Sequence, residues 1–186
     1  MGMDEHRLSD ILLASQIKAT DIYETPPQII WIDNSTIATL GNFSASTGKA
    51  KSKKTFNVSA LVAASLAGKQ VLNYRAHLPE GKQRILYVDT EQSRFHCRSV
   101  LERILRLAGL PTTTDPENLD FFCLREYSLS VRIEVIDYAL RQQKGYGLVI
   151  IDGIRDLMLD INNAGESVEV INRMMEWSSR YDLHIH

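Results

Sequence analysis

The distribution of apolar residues along the chain predicts an alternation of strands and helices from Gln28 onward. The runs ILYV and LVII are continuously apolar, which is typical of strands buried on both faces of a sheet. Other segments carry apolar residues at helical spacing. This alternation indicates an α/β fold with a mainly parallel sheet and helices on both faces. The predicted strands are Gln28–Ile32, Thr36–Leu40, Asn42–Thr47, Arg84–Asp89, Asp120–Arg125, Tyr146–Ile151 and Leu183–His186. The predicted helices are Phe56–Ala67, Ser93–Ala108, Ser130–Lys144 and Ser167–Arg180.

Residues 1–27 are predicted to form a helical arm, and residues 28–186 the main domain. Leu8, Ile11 and Leu12 fall on one face of a short amphipathic helix that Ser9 or Asp10 could cap. The sequence Thr25-Pro26-Pro27 stops any helix, because the residue before a proline is disfavoured in helical conformation. We expect the arm to pack on the main domain or on a neighbouring molecule.

Composition narrows the class of protein. Of the 186 residues, 44% are hydrophobic and the net charge is only −2, which excludes a mainly disordered chain. No apolar run approaches the roughly 20 residues that span a bilayer, and the N-terminus is too polar for a secretory signal. Two cysteines, Cys97 and Cys123, are too few for a disulfide framework or a zinc cage. We therefore expect a cytoplasmic protein that does not span a membrane.

A lysine-rich loop between a predicted strand and a predicted helix carries the first candidate chemistry. It reads GKAKSKKT and follows the phosphate-loop rule G-x-x-x-x-G-K-[ST] at Gly48, Lys54 and Thr55. Main-chain N–H groups of such a loop surround a phosphate, the lysine reaches the β- and γ-phosphates, and the hydroxyl contacts Mg²⁺. The predicted nucleotide-binding residues are Gly48, Lys49, Ala50, Lys51, Ser52, Lys53, Lys54, Thr55 and Phe56.

Lys53 occupies the place of the second glycine in this motif. If that position requires a positive φ, a lysine there is strained by roughly 1–2 kcal/mol. Two other interpretations of the loop remain open. It could be a solvated basic turn, or a basic patch that binds the phosphates of DNA.

Two carboxylates follow predicted strands at their ends. Asp152 ends the strand Tyr146–Ile151 and is a candidate for holding a water of Mg²⁺ while Thr55 coordinates the metal directly. Glu91 lies just past the strand Arg84–Asp89, where a carboxylate could orient and deprotonate an attacking water. The alternative for each is a strand-end acid that caps the next helix.

The order of the segments GKAKSKKT, ILYVDTEQ and GLVIIDGIRDL resembles that of the RecA-like P-loop ATPases. The similarity is greatest to RepA-type hexameric helicases and to ATPase proteins of bacterial mobile elements, and it covers residues 28–186. It implies a core that binds ATP and Mg²⁺, with Glu91 activating water, Asp152 at the metal, and Lys54 and Thr55 in the phosphate loop. Lys53 departs from the family pattern, which bears on affinity and turnover more than on the fold.

The resemblance also predicts where the end of the chain lies. The segment Asp182–His186 begins a strand, and in RecA-like proteins this strand lies between the phosphate-loop strand and the strand that ends at Asp152. Its far end usually carries a polar sensor for the γ-phosphate. Further strands and an arginine that reaches a neighbouring subunit follow later. We therefore expect a C-terminally truncated core in which residues 183–186 pair beside the phosphate-loop strand.

Several other polar residues have two interpretations each. Arg155 and Asp156 could couple the nucleotide state to a polar loop at residues 159–166, or form an ordinary surface pair. His184 and His186 alternate on a predicted strand, which is at best a fragment of a metal-site pattern. Four arginines of one predicted helix are typical of a solvated face, although Arg94 and Arg98, one turn apart, could approach a nucleotide or a neighbouring molecule. The four arginines are Arg94, Arg98, Arg103 and Arg106.

Three functions fit these features. The first is an ATP-hydrolysing motor or loader that acts on DNA, with single-stranded DNA as the expected partner, in replication or mobilisation of a mobile element. It would assemble as a homo-oligomeric ring with ATP at the subunit interfaces. The second is a nucleotide-gated DNA-binding module with little or no hydrolysis, in which Lys53 disables the loop. The third, a small-molecule kinase, is disfavoured because no lid or acceptor-binding segment is evident.

Overall fold

The structure is a computed structural model that describes residues 4–49, 53–158 and 164–186. The helices are α1 (Glu5–Ala14), α2 (Lys54–Ala67), α3 (Arg94–Ala108), α4 (Leu129–Gln142) and α5 (Ala164–Tyr181). The strands are β1 (Gln28–Ile32), β2 (Ser35–Thr39), β3 (Tyr74–Ala76), β4 (Arg84–Asp89), β5 (Leu119–Cys123), β6 (Tyr146–Asp152) and β7 (His184–Ile185). A short 3-10 helix, Ile154–Leu157, follows β6.

Four strands form an all-parallel sheet in the order β5-β4-β6-β7, and helices cover both of its faces. Ile85 and Tyr87 of β4 pack in one apolar cluster with α2 and α3. Leu86 and Val88, which alternate with them, pack in a second cluster with α4 and α5. Successive side chains of a strand point to opposite faces, so a strand covered on both sides must be apolar throughout. The predicted α/β fold, with a parallel sheet covered by helices on both faces, is confirmed.

The end of the chain lies where the sequence predicted. β7 pairs in parallel with β6 on one side, and Ile185 forms a parallel bridge with Phe43 on the other. Gly41 N–H donates to the Leu183 carbonyl at 3.1 Å, and Ser44 N–H donates to the Ile185 carbonyl at 2.9 Å. The segment that enters the phosphate loop therefore runs beside β7.

The predicted strand Asn42–Thr47 was wrong in its extent. Phe43 forms the bridge, and main-chain hydrogen bonds join Asn42 and Ser44 to Ile185, but β7 is only two residues long and residues 45–47 form no main-chain hydrogen bond to it. Residues beyond Ser44 turn instead towards the phosphate loop, with their side chains around a cavity. The segment is extended at the sheet and then leaves it.

A second, antiparallel sheet in the order β2-β1-β3 packs against α2. Asp33, with φ +50°, forms the tight turn between β1 and β2. The sequence analysis missed β3, because three residues are too few to show an alternation. Its register is set by pairing with β1, where Ile30 lies opposite Ala76.

The N-terminal helix is exposed throughout. No residue of α1 is buried, and Leu12 and Leu13 are 74% and 68% exposed. Packing of this helix on the main domain is therefore not observed, and contact with a neighbouring molecule stays a prediction. The predicted caps were also wrong, because Asp4 caps the helix by accepting a hydrogen bond from His6 N–H, and Ser9 and Asp10 lie inside it.

The other helix ends follow local chemistry. α2 and α3 end at Gly68 and Gly109, whose φ values of +60° and +78° suit glycine, as the sequence indicated. The N-cap of α4 lies two residues earlier than predicted, at Ser128 rather than Ser130. Among the described helices, none is long and apolar enough to cross a membrane.

Candidate nucleotide-binding site

A cavity of about 350 Å³ opens at the carboxyl ends of β4 and β6, beside the start of α2. This edge of an open parallel sheet is where ligands of such folds bind. Among the residues that the structure describes, Lys54 and Thr55 line the cavity together with both predicted strand-end carboxylates. The polar and charged residues that line it include Ser44, Ser46, Thr47, Lys54, Thr55, Glu91, Asp152, Arg155 and His186.

Lys53, in the place of the second glycine of the motif, adopts a left-handed conformation with a positive φ. Its φ is +58° and its ψ is +30°, and it stands at the N-cap of α2. Its carbonyl accepts from the N–H groups of Phe56 and Asn57 at 3.0 and 3.1 Å, so the residue starts the helix. A lysine here is strained because its Cβ crowds the main chain where glycine would not. Position 53 therefore has a backbone conformation that suits glycine, although a lysine occupies it.

Lys54 and Thr55 lie in the first turn of α2 and line the cavity. Lys54 Nζ donates to the Gly48 carbonyl at 3.4 Å, so the side chain folds back over the loop. The N–H groups of a first helical turn have no partner within the helix and favour an anion. Lys49 is exposed, and the predicted Phe56 is 40% exposed and does not line the cavity. Ala50, Lys51 and Ser52 lie outside the described residues.

Asp152 is held in place by Tyr87, a residue that the sequence analysis missed. Tyr87 OH donates to Asp152 Oδ2 at 2.9 Å, and the tyrosine ring is fully buried and stacked on Phe121. Burial raises the pKa of Asp152, and hydrogen bonds from Tyr87 and Thr55 partly oppose that rise. The Tyr87 hydroxyl fixes the orientation of the Asp152 carboxylate. Nothing in the sequence indicated this role, because a tyrosine inside an apolar strand looks like an ordinary core residue.

Asp89, at the end of β4, organises the turn that carries Glu91. Asp89 is completely buried, and its Oδ1 accepts from Glu91 N–H at 3.0 Å and from Gln92 N–H at 2.7 Å. Its Oδ2 accepts from the Gln92 side chain at 2.7 Å. The hydrogen bonds occupy both oxygens, which makes Asp89 a structural carboxylate. The spacing D-x-E was a usable signal for it, because aspartate side chains often accept main-chain hydrogen bonds two residues on.

The turn with Glu91 packs closely against the end of β6. A Cβ on Gly153 would lie 2.2 Å from Thr90 Oγ1 and 2.7 Å from Glu91 Cγ. Thr90 Oγ1 donates to the Gly153 carbonyl at 2.8 Å, which joins the two turns directly. Gly153 has a φ of +107°, a conformation that other residues rarely adopt. The absence of a side chain at this position lets Glu91 approach Asp152.

Glu91 remains open to solvent but lies in an acidic environment. Partial burial raises its pKa, the charges of Asp156, Asp152 and Asp89 raise it further, and Lys54 opposes them. A carboxylate with a raised pKa is a better proton acceptor near neutral pH than an ordinary glutamate. The structure therefore brings the predicted Glu91, Asp152, Lys54 and Thr55 around one cavity.

The oxygen ligands at the cavity fit magnesium. Thr55 and Asp152 line the same cavity, and the Thr55 hydroxyl is close enough to oppose the rise in the pKa of the Asp152 carboxylate. Within the described part of the chain, no cluster of three or more His, Cys, Asp or Glu residues could hold a metal ion. Mg²⁺ does not need such a cluster, because it commonly keeps several waters and binds one or two protein oxygens together with substrate phosphates.

The structure shows the surroundings of several other polar residues that the sequence singled out. Arg98 and Arg106 both pair with Glu102, at 3.0 Å each, which supports a solvated helix face for these two arginines. Arg155 lines the cavity. Asp156 lies near Gly153 and its carbonyl accepts from Arg132 at 2.8 Å. His184 and His186 both form hydrogen bonds with Ser44, and His186 also forms one with Ser46. The loop at 159–163 lies outside the described residues.

The parallel sheet and the loop at the start of α2 define a P-loop nucleotide-binding domain. A family model described as an AAA domain matches residues 8–186. The chain belongs to this family of AAA-type P-loop ATPases. ATP and Mg²⁺ are the ligands that the family generally uses. None of the curated proteins matches the chain.

The strain at Lys53 predicts an effect on stability. Lys53→Gly removes a backbone strain of about 1–2 kcal/mol from the folded state. The greater flexibility of glycine in the unfolded chain lowers this gain in stability by about 0.5–1 kcal/mol. We expect the free energy of unfolding to rise by about 0.5–1 kcal/mol in urea titrations. The matched control is Lys53→Ala, which removes the charge but keeps the Cβ, and should change stability much less. An equal gain in both variants would assign the effect to charge.

Proposed function

We propose that this chain binds Mg²⁺–ATP in the cavity at the start of α2 and hydrolyses the γ-phosphate. The observation that carries the proposal is the convergence of Lys54, Thr55, Asp152 and Glu91 on one cavity, from three separate elements. A basic turn that only binds solvent would not need two strand-end carboxylates opposite it. Family membership supports the same chemistry at a coarser level.

The residues suggest an in-line attack by water. Glu91 orients a water and accepts its proton while the oxygen forms a bond to the γ-phosphorus and the bond to the β-phosphate oxygen breaks. Lys54 neutralises charge on the β- and γ-phosphates, together with the helical N–H groups. Thr55 and Asp152 would hold Mg²⁺, which supplies further charge neutralisation when bound. The raised pKa of Glu91 favours the proton transfer.

We further propose that hydrolysis drives a motor or loader acting on single-stranded DNA, in replication or mobilisation of a mobile element. Support comes from the order of the three motifs, which resembles that of RecA-like helicases. A homo-oligomeric ring is part of the proposal, and the exposed apolar residues of α1 are available for contact with a neighbouring molecule. Large apolar side chains that remain in water are often covered by a partner.

A second function is favoured by one observation. Because Lys53 stands at φ +58°, the loop stores strain that a glycine would not, and this strain could oppose the closed geometry needed for turnover. The chain would then be a nucleotide-gated DNA-binding module, in which ATP binds and changes affinity for DNA with little hydrolysis.

The register of the phosphate loop predicts opposite results for two neighbouring lysines. Lys54→Ala should abolish binding of Mg²⁺–ATP, because it removes the cation that faces the phosphates. Lys53→Gly should bind as well as the unchanged chain or better, because it relieves strain. Calorimetric titration measures both, with Lys53→Ala as a control for the lost charge. Equal loss of binding in Lys54→Ala and Lys53→Gly would mean that the motif has been read in the wrong register.

The role of Glu91 predicts a separation of binding from hydrolysis. Glu91→Gln should leave ATP affinity within a few-fold and reduce the hydrolysis rate by about 10²-fold or more, the scale of a lost general base. In the unchanged chain, the rate should fall as pH decreases through the raised pKa of Glu91, because protonation removes the base. Glu126→Gln, at an exposed position outside the cavity, is the control. Unchanged turnover in Glu91→Gln would remove Glu91 from catalysis.

A measurement with DNA distinguishes the two proposed functions. A motor or loader should hydrolyse ATP faster when single-stranded DNA is added. The nucleotide-gated module should show no turnover in either condition, and its affinity for single-stranded DNA should change when ATP is added. Both proposals would be contradicted if the rate of ATP hydrolysis were the same with and without DNA and the affinity for DNA were the same with and without nucleotide.

A further inference from the structure

A chain of hydrogen bonds connects the carbonyl of a β2 residue to the wall of the nucleotide cavity. His184 Nδ1 lies 2.9 Å from the Thr39 carbonyl, and His184 Nε2 lies 2.8 Å from Ser44 Oγ. Ser44 Oγ lies 2.7 Å from His186 Nδ1, and His186 Nε2 lies 2.8 Å from Ser46 Oγ. His184 is 1% exposed. Ser44, Ser46 and His186 line the same cavity as Lys54.

The Thr39 carbonyl fixes the direction of every bond in this chain. A carbonyl only accepts, so His184 Nδ1 carries the hydrogen, and burial keeps His184 neutral by lowering its pKa to about 4. His184 Nε2 must then accept from the Ser44 hydroxyl. Ser44 has no second hydrogen, so it accepts from His186 Nδ1. A neutral His186 therefore presents Nε2 as an acceptor, and Ser46 donates its hydrogen there.

The direction of these hydrogen bonds decides whether the Ser46 hydroxyl can donate to an anion in the cavity. With His186 neutral, the Ser46 hydrogen points at the imidazole and not at the cavity. If His186 gains a proton on Nε2, that nitrogen becomes a donor to Ser46 Oγ, and the Ser46 hydroxyl hydrogen is released. The protonated state then offers the cavity a hydroxyl donor and a positive charge nearby. A polyphosphate favours that state over the neutral one.

We propose that binding of a nucleotide polyphosphate is coupled to uptake of one proton by His186, and that His184 and Ser44 are positioning residues that fix the hydrogen-bond direction on which this coupling depends. The inference rests on the proposed binding of nucleotide in this cavity. It does not depend on hydrolysis, on DNA or on assembly.

Charged groups around His186 act in both directions. The charged residues that line the cavity together with His186 are Lys54 of α2 and Arg155 of the 3-10 helix, which would oppose a further positive charge, and Glu91 and Asp152, which would favour it. Burial lowers the pKa of His186, so the histidine is neutral at pH 7 before nucleotide binds. An entering polyphosphate adds several negative charges to the cavity that His186 lines. The change on binding is therefore towards the protonated form.

The sign of the pH dependence follows from linkage. Proton uptake is expected between the pKa of His186 in the free protein and its higher pKa in the complex. In that interval, nucleotide affinity falls as pH rises, by at most about tenfold per pH unit for one proton. Below the lower pKa, His186 is protonated in both states and the coupling disappears.

The test is calorimetric titration of the full chain with ATPγS and excess Mg²⁺ near pH 7, in buffers of different ionisation enthalpy. The dependence of binding heat on buffer gives the number of protons taken up. We expect uptake of up to about one proton per nucleotide. His186→Asn should bind nucleotide with no such uptake, since an amide does not titrate. His77→Asn, which changes an exposed histidine outside the cavity, should behave like the unchanged chain.

Two serine variants test the positioning role without altering the buried His184. Ser44→Ala removes the acceptor for His186 Nδ1–H, which disfavours the imidazolium, so proton uptake should decrease while nucleotide still binds. Ser44→Thr keeps the hydroxyl and should restore the uptake. Binding without proton uptake in the unchanged chain, or equal uptake in His186→Asn, would overturn the inference and leave the proposed function intact. Absence of any binding heat would overturn the proposed function, and the inference with it.

Discussion

The in-register pairing of β4 with β6 is the constraint on which the site depends. Asp89 lies opposite Asp152 at the ends of these two parallel strands, so the turns that follow must meet at one edge of the sheet. Contact between Thr90 and Gly153 then holds Glu91 beside Asp152. Tyr87, one pleat earlier on β4, reaches across to the same carboxylate. A shift of one residue in this pairing would turn these side chains to the other face of the sheet and separate the groups.

Two positions that favour glycine have different outcomes in this chain. At Gly153 the glycine is kept, because a side chain there would collide with both Thr90 and Glu91. At Lys53 the positive φ is kept but the glycine is not, and the strain falls on a residue that only has to start a helix. Backbone strain is therefore accepted at Lys53, whereas a side chain between the two strand-end turns would collide with Thr90 and Glu91. This difference is steric and follows from what each Cβ would meet.

The sequence predicted most strands of the parallel sheet and the helices that cover it, because these depend on local patterns, and the proposed members of the site, Lys54, Thr55, Glu91 and Asp152, lie around one cavity. Continuous apolar runs predicted β4 and β6, and the order of motifs placed β7 between β6 and the phosphate-loop segment. The roles of Tyr87 and of the serine–histidine chain could not be predicted, whereas Asp89 had a local signal, because aspartate side chains often accept main-chain hydrogen bonds two residues on. Tyr87 looks like any core aromatic, and Ser44 meets His184 only because β7 lies beside it, 140 residues away in sequence. Strand β3 was missed because it is short, and the caps of α1 because several polar residues compete there.

A crystal structure of the chain with Mg²⁺ and a slowly hydrolysed ATP analogue is the most direct test of the proposed nucleotide site. The phosphates should lie against the first turn of α2, within hydrogen-bond distance of Lys54 Nζ, and Mg²⁺ should lie between Thr55 and the phosphates with Asp152 close by. Lys53 should keep its positive φ in the complex. A nucleotide bound elsewhere on the protein, or an empty cavity at saturating ligand, would contradict the proposed site.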